Sequence, residues 1–475
     1  MVVVGAGPVG LTAALLLARR GVGVLVLERH PEPYLLPRAV HLDDEVFRVL
    51  QDAGVAEEVA ALSRPIAGLR LLDARLRTLA EFRRDPGSGV HGWPQGMLFH
   101  QPELEAVLRE AVGRTPAIEL RAGVEVTGVA DAGAAVTVTT GGDGTKRSVA
   151  AWFVLACDGA SSTVRRLVGA GMRDLGPADR WLVVDARGPA GAPVWAGVHQ
   201  ISDPHRPATF MPVTGDRYRW EFRLRPGEDV AALTAPDRLR ALLAPFGATD
   251  VEVERAAEYE FRAQVADRWR SGRVLLAGDA AHLTPPFIGQ GLGLGLRDVH
   301  QVAWKLAAVL AGETGLELLD TYQAEREPHA RALIRVALLL GRLMTGGGRA
   351  AGVVRRGALA VVRRLPAAAG LATSTRTPPL RRGPLVRRRR VAPRSPVGAL
   401  VPQPTVAVDG VARRLDDVLG PGWAVLTPGG PIPLSYCERR PVIVRVDDLH
   451  SPELARWLRG RTVLVRPDRI VAAVA

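Results

Sequence analysis

The feature that most constrains this chain is a glycine-rich turn close to its first residue. Val2–Val4 is a run of β-branched residues of the kind that forms a buried parallel strand. The segment GAGPVG follows, in which Gly5 can adopt the backbone angles of a tight turn and Gly7 lets another molecule approach the main chain. Gly10 lets the next helix pack closely on the strand. The pattern predicts an α/β domain with a parallel sheet.

A helix and a second strand complete a βαβ unit. The predicted helix runs from Pro8 to about Arg20, and the unpaired N–H groups at its start favour a phosphate. The predicted strand, about Gly23 to Leu27, ends next to Glu28, where a carboxylate can accept a hydrogen bond from a ribose hydroxyl. The unit predicts a dinucleotide site, but by itself it does not distinguish FAD from a nicotinamide cofactor.

Two later segments favour FAD. CDGASSTVR occupies residues 157–165, and RVLLAGDAAHLTPPFIGQGLGLGLRD occupies residues 273–298. In the second segment a predicted strand brings Asp279 to its carboxyl end, where a carboxylate can bind a ribityl chain. Alternating glycines then let backbone amides approach a flat ring, just before a helix predicted at about Leu296 to Leu310. These glycines are Gly289, Gly291, Gly293 and Gly295.

Together the segments resemble the single-component FAD-dependent aromatic hydroxylases of the p-hydroxybenzoate hydroxylase fold. The nearest branch contains the 3-(3-hydroxyphenyl)propionate hydroxylases and the aromatic-polyketide hydroxylases of antibiotic biosynthesis. The resemblance covers nearly the whole chain. It also includes LPRAVHLDDEVFRVLQDAG at 36–54, HQPELEAVLRE at 100–110, WLVVDAR at 181–187 and LLDTYQAEREPHA at 318–330.

The resemblance implies a set of residues around a tightly, non-covalently bound FAD. For the pyrophosphate, adenosine ribose and ribityl chain the implied residues are Gly5, Gly7, Pro8, Gly10, Glu28, Arg29, Arg38, Gln101 and Asp279. Asp158 and Gly159 belong to a motif for FAD and nicotinamide binding. The residues implied beside the flavin ring are Pro286, Gly289, Gly291, Leu292 and Gly293. Gly293 departs from the family pattern, which has asparagine there, so an asparagine side-chain contact with the flavin is absent.

The reaction that the resemblance implies is oxygen transfer to an aromatic ring. NADPH or NADH reduces FAD, dioxygen adds to the reduced flavin as a hydroperoxide, and an electron-rich ring attacks the terminal oxygen. The protein must exclude water, and the helix start near Gly291 can stabilise negative charge on the reduced ring. No catalytic residue is assigned. His41, His100 and His282 are candidates for proton transfer, although each also has a local structural explanation.

The expected fold is α/β, with a Rossmann-like FAD-binding domain, an interleaved β-sheet substrate domain and a C-terminal thioredoxin-like domain. The FAD-binding domain takes residues 1–175 and 266–375, and the substrate domain takes 176–265. A linker rich in proline and arginine, 376–400, precedes the thioredoxin-like domain at 401–475. That domain has no C-x-x-C motif, so we expect a structural role or a dimer contact for it. A further amphipathic helix is predicted within 345–370.

Charge and cysteine content bear on other functions. The formal net charge is +13, and arginines cluster at 387–390, which is compatible with a nucleic-acid or anionic-membrane surface. We interpret this cluster as a solvated linker, because no aromatic residues interleave with it for base stacking. Cys157 and Cys437 are far apart in sequence, which favours neither a disulfide nor a metal site. We expect a cytoplasmic monomer or homodimer, and a native first strand a few residues longer than the one given.

Substrate contacts are the least constrained part of the sequence. The candidates are Trp93, Met97, Phe210, Trp220 and Phe222, with ordinary core packing as the alternative for each. A polycyclic phenol or polyketide is the preferred substrate, and a small phenolic acid is second, because Arg187, Arg217 or Arg219 can pair with a carboxylate. Two other functions remain open, namely a Baeyer-Villiger or epoxidising monooxygenase on the same fold and a non-catalytic FAD-binding protein.

Overall fold

The computed structural model describes the chain except for a few segments. These are residues 35, 88, 142–146, 189–194, 249, 346–376, 381–382, 387–394, 430–431 and 438–439. The arginine cluster at 387–390 and nearly all of the helix predicted within 345–370 therefore lie outside the described residues. Among the described helices, none is long and apolar enough to cross a membrane.

The first part of the chain alternates strands and helices. Its strands are β1 (Val2–Val4), β2 (Val24–Glu28), β3 (His41–Asp43), β4 (Arg64–Pro65), β5 (Gly68–Leu72), β6 (Thr78–Arg83), β7 (Gly96–Leu98), β8 (Ile118–Ala122), β9 (Glu125–Asp131), β10 (Val136–Gly141), β11 (Arg147–Ala151), β12 (Val154–Ala156) and β13 (Met172–Asp174). Its helices are α1 (Pro8–Ala18), α2 (Asp44–Ala53), α3 (Ala56–Ala61), α4 (Gln101–Gly113) and α5 (Thr163–Leu167).

The middle of the chain contains most strands of a seven-stranded sheet and the two longest described helices. Its strands are β14 (Asp179–Arg187), β15 (Val198–Ile201), β16 (Ala208–Pro212), β17 (Arg217–Arg223), β18 (Glu252–Phe261), β19 (Gln264–Ala266), β20 (Arg270–Ser271), β21 (Val274–Leu276) and β22 (His282–Leu283). Its helices are α6 (Val230–Thr234), α7 (Pro236–Leu243), α8 (Gly291–Leu310) and α9 (Glu317–Thr345).

A six-stranded sheet organises the FAD-binding part. Its order is β20-β21-β12-β1-β2-β8, and every neighbouring pair is parallel except β20 and β21. The side chains of β1 are all buried, as expected for a strand inside a covered parallel sheet. β21 arrives from beyond the second sheet and pairs with β12. The predicted βαβ unit of β1, α1 and β2 is confirmed.

The helix predicted to start near Leu296 starts five residues earlier, at Gly291. The alternating glycines therefore lie largely inside the first turns of α8. A Cβ on Gly295 would come within 2.8 Å of a Val9 methyl and 3.0 Å of the Gly278 Cα. Close packing of α8 against α1 and the end of β21 thus explains a glycine that the sequence alone suggested was a loop residue.

A second sheet, which we call the substrate sheet after its expected role, has seven strands in the order β18-β14-β17-β16-β15-β5-β6. β5 and β15 are parallel and the other neighbours are antiparallel. Two of its strands, β5 and β6, come from before residue 175, although the sequence placed this sheet within 176–265. One face of the sheet packs on α7 through a buried cluster that includes Leu239 and Leu243.

The C-terminal part has its own sheet and core. A hairpin of β23 (Thr405–Val408) and β24 (Val411–Arg414) precedes a sheet in the order β26-β25-β27-β28, formed by β25 (Ala424–Thr427), β26 (Val442–Arg445), β27 (Val463–Val465) and β28 (Val471–Val474). Its helices are Leu415–Leu419, Leu434–Cys437 and Pro452–Leu458. The β25–β26 pair is parallel and the other two are antiparallel. The sequence predicts strands at Trp423–Leu426, Val442–Val446, Thr462–Val465 and Ile470–Val474, and these four strands are confirmed. The hairpin of β23 and β24 was not predicted.

Candidate functional site

The glycine turn between β1 and α1 leaves its backbone open on one side. Gly5 has a φ of +100°, and a Cβ on Gly10 would lie 2.0 Å from the Gly5 carbonyl oxygen. At Gly7, by contrast, no neighbouring atom of the described part of the chain lies within 4 Å of the position that a Cβ would take. α1 starts at Pro8, and no acidic side chain lies in its first turn. The start of α1 therefore offers free N–H groups to an anion such as a pyrophosphate.

Glu28, the last residue of β2, ties the glycine turn to the following loop. Its Oε2 accepts a hydrogen bond from the Ala6 N–H at 2.7 Å, and its Oε1 accepts one from the His30 N–H at 2.9 Å. Carboxylate oxygens can each accept a second hydrogen bond, so a ribose hydroxyl remains compatible with these contacts. The neighbouring Arg29 is exposed, and its Nε lies 3.0 Å from the His30 ring.

The loop that carries Arg38 is held from two sides. Gln101, at the start of α4, accepts hydrogen bonds through its Oε1 from the N–H groups of Arg38 at 2.9 Å and Ala39 at 2.8 Å. From the substrate sheet, Arg219 donates to the carbonyl oxygens of Arg38 at 2.8 Å and Pro37 at 2.7 Å. We call the contacts of Arg219 with this loop the Arg38 latch. They fix the Arg38 loop relative to the substrate sheet.

Buried charges on three adjacent strands support the latch. Asp185 on β14 accepts two hydrogen bonds from Arg219 on β17, at 2.7 and 3.1 Å. Arg255 on β18 donates to the Pro37 carbonyl at 2.8 Å. Sequence reasoning missed Asp185 and Arg255, because their contact depends on strand register, which a single sequence does not give.

The three arginines suggested as binders of a substrate carboxylate are all engaged with protein carboxylates. Arg187 pairs with Glu254 at 2.5 Å, and Arg217 pairs with Glu103 at 3.2 Å. Arg219 pairs with Asp185, as described above. None of the three guanidinium groups therefore lies without a protein carboxylate beside it.

Asp158 organises the turn before α5. Its Oδ1 accepts a hydrogen bond from the Ser162 hydroxyl at 2.5 Å, and its Oδ2 accepts one from the Val164 N–H at 3.0 Å. Gly159 has a φ of +79°, which explains the glycine. The motif thus builds a tight turn beside Gly5, since a Cβ on Gly5 would lie 2.5 Å from the Cys157 carbonyl oxygen.

A buried ionic cluster lies under the loop after β21. Asp298 on α8 accepts a hydrogen bond from the Gly278 N–H at 3.1 Å, and its carboxylate lies 2.6 Å from the His282 Nε2. Arg326 on α9 donates to the same carboxylate at 2.9 Å. Asp279 stands next to this cluster without joining it, and burial raises the pKa of its carboxyl group. The cluster fixes the loop on which Asp279 stands.

The turn expected beside the flavin ring is a 3-10 turn followed directly by α8. It covers Pro286–Ile288, and Gly289 follows with a φ of +63°. Leu292 is partly exposed in the first turn of α8. A Cβ on Gly293 would come within 2.8 Å of the Arg297 Nη1, so Arg297 occupies the space beside this glycine.

Arg297 is itself fixed by three buried partners. It donates to Asp43 at 2.6 Å, to Glu45 at 3.0 Å and to the side-chain oxygen of Gln290 at 2.9 Å. The guanidinium therefore packs beside Gly293, where the family pattern has an asparagine side chain. Its charge is neutralised by these two carboxylates.

The aromatic substrate candidates of the second sheet lie on its far face. Phe210 stacks on Trp220 with ring centroids 5.1 Å apart, and Phe222 and Trp220 both pack against Phe246. These residues form the core between the sheet and α7. The prediction that Phe210, Trp220 and Phe222 line the substrate cavity is therefore wrong. Successive side chains of a strand lie on opposite faces, so the residues next to these three in sequence face the FAD-binding part.

The opposite face of the sheet points at the FAD-binding part. Arg219 on this face forms the Arg38 latch, and Trp181 packs edge-on against Phe287 of the 3-10 turn, with centroids 5.9 Å apart. Four more side chains lie on this face between the two contacts, and each is next in sequence to a residue of the core on the far face. They are Val183, Thr209, Met211 and Glu221. We call these four residues the inner face.

Trp93 and Met97 belong to the FAD-binding part. Trp93 packs against Phe47 at 5.2 Å, donates to Gln51 at 3.0 Å and lies under the Arg414 guanidinium at 3.8 Å. It is therefore a contact with the C-terminal part, so its assignment to the substrate cavity is also wrong. Met97 on β7 is buried in the core of the FAD-binding part.

The three candidate histidines differ in their partners. His282 pairs with Asp298, and the His100 Nδ1 lies 3.6 Å from a Glu103 oxygen. Among the described residues, neither ring nitrogen of His41 has a hydrogen-bond partner of good geometry, and the ring lies beside Gly289, where a Cβ would come within 3.0 Å of its Nδ1. Burial and a nearby arginine lower the pKa of His41 to about 4, so its ring is neutral at neutral pH.

Comparison with known proteins decides the family. Residues 1–337 match the model of the FAD binding domain family. A 3-(3-hydroxy-phenyl)propionate/3-hydroxycinnamic acid hydroxylase of Burkholderia vietnamiensis is 38% identical over 99% of this chain and 92% of its own length. The chain belongs to the FAD-dependent aromatic hydroxylases. This hydroxylase is therefore an enzyme that uses FAD, and the alternative of a non-catalytic FAD-binding protein is set aside.

Other relatives of the hydroxylase act on different aromatic compounds. A probable NADH-specific resorcinol 4-hydroxylase of Rhodococcus jostii is 34% identical over 90% of this chain and 78% of its own length. Aklavinone-11 hydroxylase, solved with FAD and aklavinone, aligns over 100% of this chain and 95% of its own, with a TM-score of 0.80 and 27% identity. The OxyS anhydrotetracycline hydroxylase of Streptomyces rimosus aligns over the same shares, with a TM-score of 0.78 and 28% identity.

Proposed function

We propose that this enzyme hydroxylates a phenolic ring, most favourably within a polycyclic, polyketide-like compound, with NADH or NADPH as reductant. Bound FAD would supply hydride acceptance and the activation of dioxygen. The chain's own residues would bind the cofactor, orient the ring and exclude water. The relatives with printed substrates include both single-ring phenols and fused-ring polyketides, and this range supports the substrate class.

The observation that carries the proposal is the inner face of the substrate sheet. Val183, Met211 and Thr209 offer apolar and weakly polar surface, and Glu221 offers one carboxyl group. This face lies between the Arg38 latch and the contact of Trp181 with Phe287, so it lies over the turn proposed beside the flavin. A flat ring fits an apolar wall with one polar group better than it fits a charged pocket.

The proposed roles of the FAD-site residues follow from the geometry of each loop. The start of α1, with Gly5, Gly7, Pro8 and Gly10, would hold the pyrophosphate, and Glu28 would bind the adenosine ribose. Arg38, Gln101 and Asp279 would lie along the phosphate and ribityl chain. The residues proposed beside the flavin ring are Pro286, Gly289, Gly291, Leu292 and Gly293. Arg29 beside Glu28, and Asp158 with Gly159 in the turn beside Gly5, are proposed as further residues of the cofactor site.

The charge of the site favours a neutral polycyclic phenol over a small phenolic acid. Arg187, Arg217 and Arg219 are each paired with a carboxylate of the protein. Transfer of one of them to a substrate carboxylate would leave a protein carboxylate unpaired, at a cost for the buried Asp185 of about 3 kcal/mol or more. The fused-ring substrates of two structural relatives are consistent with this preference.

The C-terminal part is proposed as a thioredoxin-like domain with a structural role. Its sheet combines one parallel pair with two antiparallel pairs. The domain limits proposed above, 1–175 with 266–375, 176–265 and 401–475, apply with β5 and β6 added to the substrate sheet.

The test is the absorbance of the flavin during anaerobic reduction. Purified holoenzyme is mixed with NADH or NADPH, alone and with a panel containing 3-(3-hydroxyphenyl)propionate, resorcinol, 2-naphthol and aklavinone. Faster bleaching with a phenol, followed by a product heavier by one oxygen atom on the ring after air is admitted, supports the proposal. Oxygen inserted next to a ketone or across an alkene indicates the Baeyer-Villiger or epoxidising alternative. A flavin that no phenol affects contradicts the proposed substrate class.

A further inference from the structure

Glu221 stands on the side of β17 that faces the FAD-binding part. Side chains at 217, 219 and 221 share this side because they are two residues apart. The first two contact the FAD-binding part, since Arg217 pairs with Glu103 of α4 and Arg219 forms the Arg38 latch. Glu221 continues this row toward the contact of Trp181 with Phe287. It therefore belongs to the inner face, on which the proposed function places the substrate.

The Glu221 carboxyl group is buried and has no partner in the described part of the chain. Its relative exposure is 9%, and it accepts no hydrogen bond and forms no ion pair with a described residue. Its cross-strand neighbours do not satisfy it, because Val183 is apolar and the Thr209 hydroxyl donates to Gln200 at 3.1 Å. A buried acid without a partner is costly, so such a group calls for an explanation.

The surrounding charges leave Glu221 available. Arg219 is the nearest cation along the strand, but its guanidinium donates to Asp185 and to two carbonyl oxygens of the Arg38 loop. Arg223, two residues further, pairs with Asp179 at 2.7 Å. Burial is the main reason that the pKa of Glu221 is raised, Asp185 adds to this, and Arg219 opposes it.

We propose that Glu221 binds the hydroxyl group of the aromatic substrate and accepts its proton. This inference rests on the proposed function and adds the group that activates the ring. The phenolic O–H bond breaks, the proton moves to a Glu221 oxygen, and the electron pair stays on the substrate as a phenolate. The site keeps one negative charge throughout, and the proton returns to the product oxygen before release. A phenolate is the more electron-rich ring, and a raised carboxyl pKa lies closer to that of a phenol.

The test compares a phenol with its methyl ether in equilibrium binding to oxidised holoenzyme. The probes are 2-naphthol and 2-methoxynaphthalene, and binding is followed by the change in flavin absorbance. Wild-type enzyme should prefer the phenol by at least about tenfold, because only the phenol donates a hydrogen bond. Glu221→Leu should reduce this ratio to about one. Glu221→Gln keeps an acceptor and should retain a preference, but near-ultraviolet difference spectra should show no naphtholate formed on binding.

A matched control is Glu258→Gln, which changes an exposed glutamate on β18 that pairs with Arg180. It should leave the binding ratio at the wild-type value. FAD content and melting temperature identify a variant that fails to fold. If Glu221→Leu fails to fold, the near-isosteric Glu221→Gln tests the proton transfer, because its difference spectrum shows whether naphtholate forms.

Three results would overturn the role of Glu221. They are a wild-type enzyme that binds both probes equally or neither of them, a Glu221→Leu enzyme that keeps the wild-type ratio, and a Glu221→Gln enzyme that still forms naphtholate. The proposed function is judged separately by flavin bleaching with the phenol panel. If a phenol stimulates bleaching and is hydroxylated while Glu221 has no effect, the function stands and only this inference fails.

Discussion

Arg466 of the C-terminal part and Glu325 of α9 form an ion pair at 3.0 Å, with neither side chain exposed to solvent. Lys305 of α8 lies 3.0 Å from the same Glu325 carboxylate, and Asp468 pairs with Arg466 at 2.6 Å. Two cations and two anions therefore balance one another inside the contact between the C-terminal and FAD-binding parts. A buried, balanced cluster of this kind fixes the docking geometry through specific partners.

We predict that Arg466→Met destabilises the protein by about 3–5 kcal/mol, because it leaves buried carboxylates without a partner. Urea unfolding of the holoenzyme measures this loss. Arg414→Met is the matched control, since Arg414 also joins the C-terminal part to the FAD-binding part but pairs with Glu57, whose side chain is 70% exposed. Its cost should be about 0–2 kcal/mol, because it removes an exposed ion pair and the contact of the guanidinium with the Trp93 ring. Equal losses for the two variants would contradict the prediction.

Removal of the Arg38 latch should weaken the hold on FAD. Arg219→Met removes the hydrogen bonds to the Pro37 and Arg38 carbonyls and leaves Asp185 with Arg255 alone, 3.7 Å away. We expect FAD to bind about tenfold or more weakly, equivalent to about 1.4 kcal/mol. The recovery of flavin fluorescence on release measures the affinity. Arg187→Met, which breaks an exposed pair, should leave FAD affinity unchanged, and similar affinities for all three proteins would count against the latch.

A methyl group at Gly293 should cost stability, because Arg297 cannot yield freely. The Cβ of Gly293→Ala would lie 2.8 Å from a guanidinium that Asp43 and Glu45 hold in place. We expect a loss of about 1–3 kcal/mol in chemical unfolding. In Gly113→Ala the same change occurs at a helical glycine whose Cβ position has no described neighbouring atom within 4 Å, and a gain of up to about 1 kcal/mol is expected. A stabilised Gly293→Ala would show that Arg297 moves aside.

Acid should destabilise the protein partly through His91. Burial and Arg48 lower the pKa of His91 from 6.5 to about 4. Between these values the unfolded chain binds more protons than the folded one, so stability falls as pH drops from about 6.5 and the loss is complete below about 4. This histidine should account for about 2–3 kcal/mol between pH 7.5 and 4.5. Unfolding of His91→Gln should show a pH dependence smaller by that amount, and an unchanged dependence would exclude this role.

Local sequence rules predicted the elements that depend on neighbours along the chain. The βαβ unit follows from Val2–Val4, the glycine turn and Glu28, each of which acts within its own loop or strand. The helix after β21 was placed too late, since the glycines at its start looked like loop residues. Gly295 is a glycine because Val9 packs against it from a helix almost 300 residues earlier in the chain. A rule that considers only neighbours in sequence cannot predict that contact.

The substrate side was predicted less well for a different reason. The strand RYRWEFR alternates polar and aromatic side chains, but the pattern does not say which side faces FAD. Aromatic side chains suggested a ligand cavity, whereas Trp220 and Phe222 form the core against α7. The polar side, with Arg219 and Glu221, faces the FAD-binding part. A one-residue error of parity therefore exchanged the core face with the face that points at the FAD-binding part.

The pairing of β12 with β21 has a consequence for how the enzyme is made on the ribosome. Val154 pairs with Val274, and five of the seven strands of the substrate sheet, β14 to β18, lie between these two residues in sequence. The nucleotide-binding sheet is therefore incomplete until well over half of the protein has been synthesised, and β12 keeps an open edge until then. A strand edge that stays unpaired for a long time in a nascent chain can pair with a wrong strand or with another chain. Slow synthesis of the middle segment should thus be more harmful to this protein than to one whose parallel strands are consecutive.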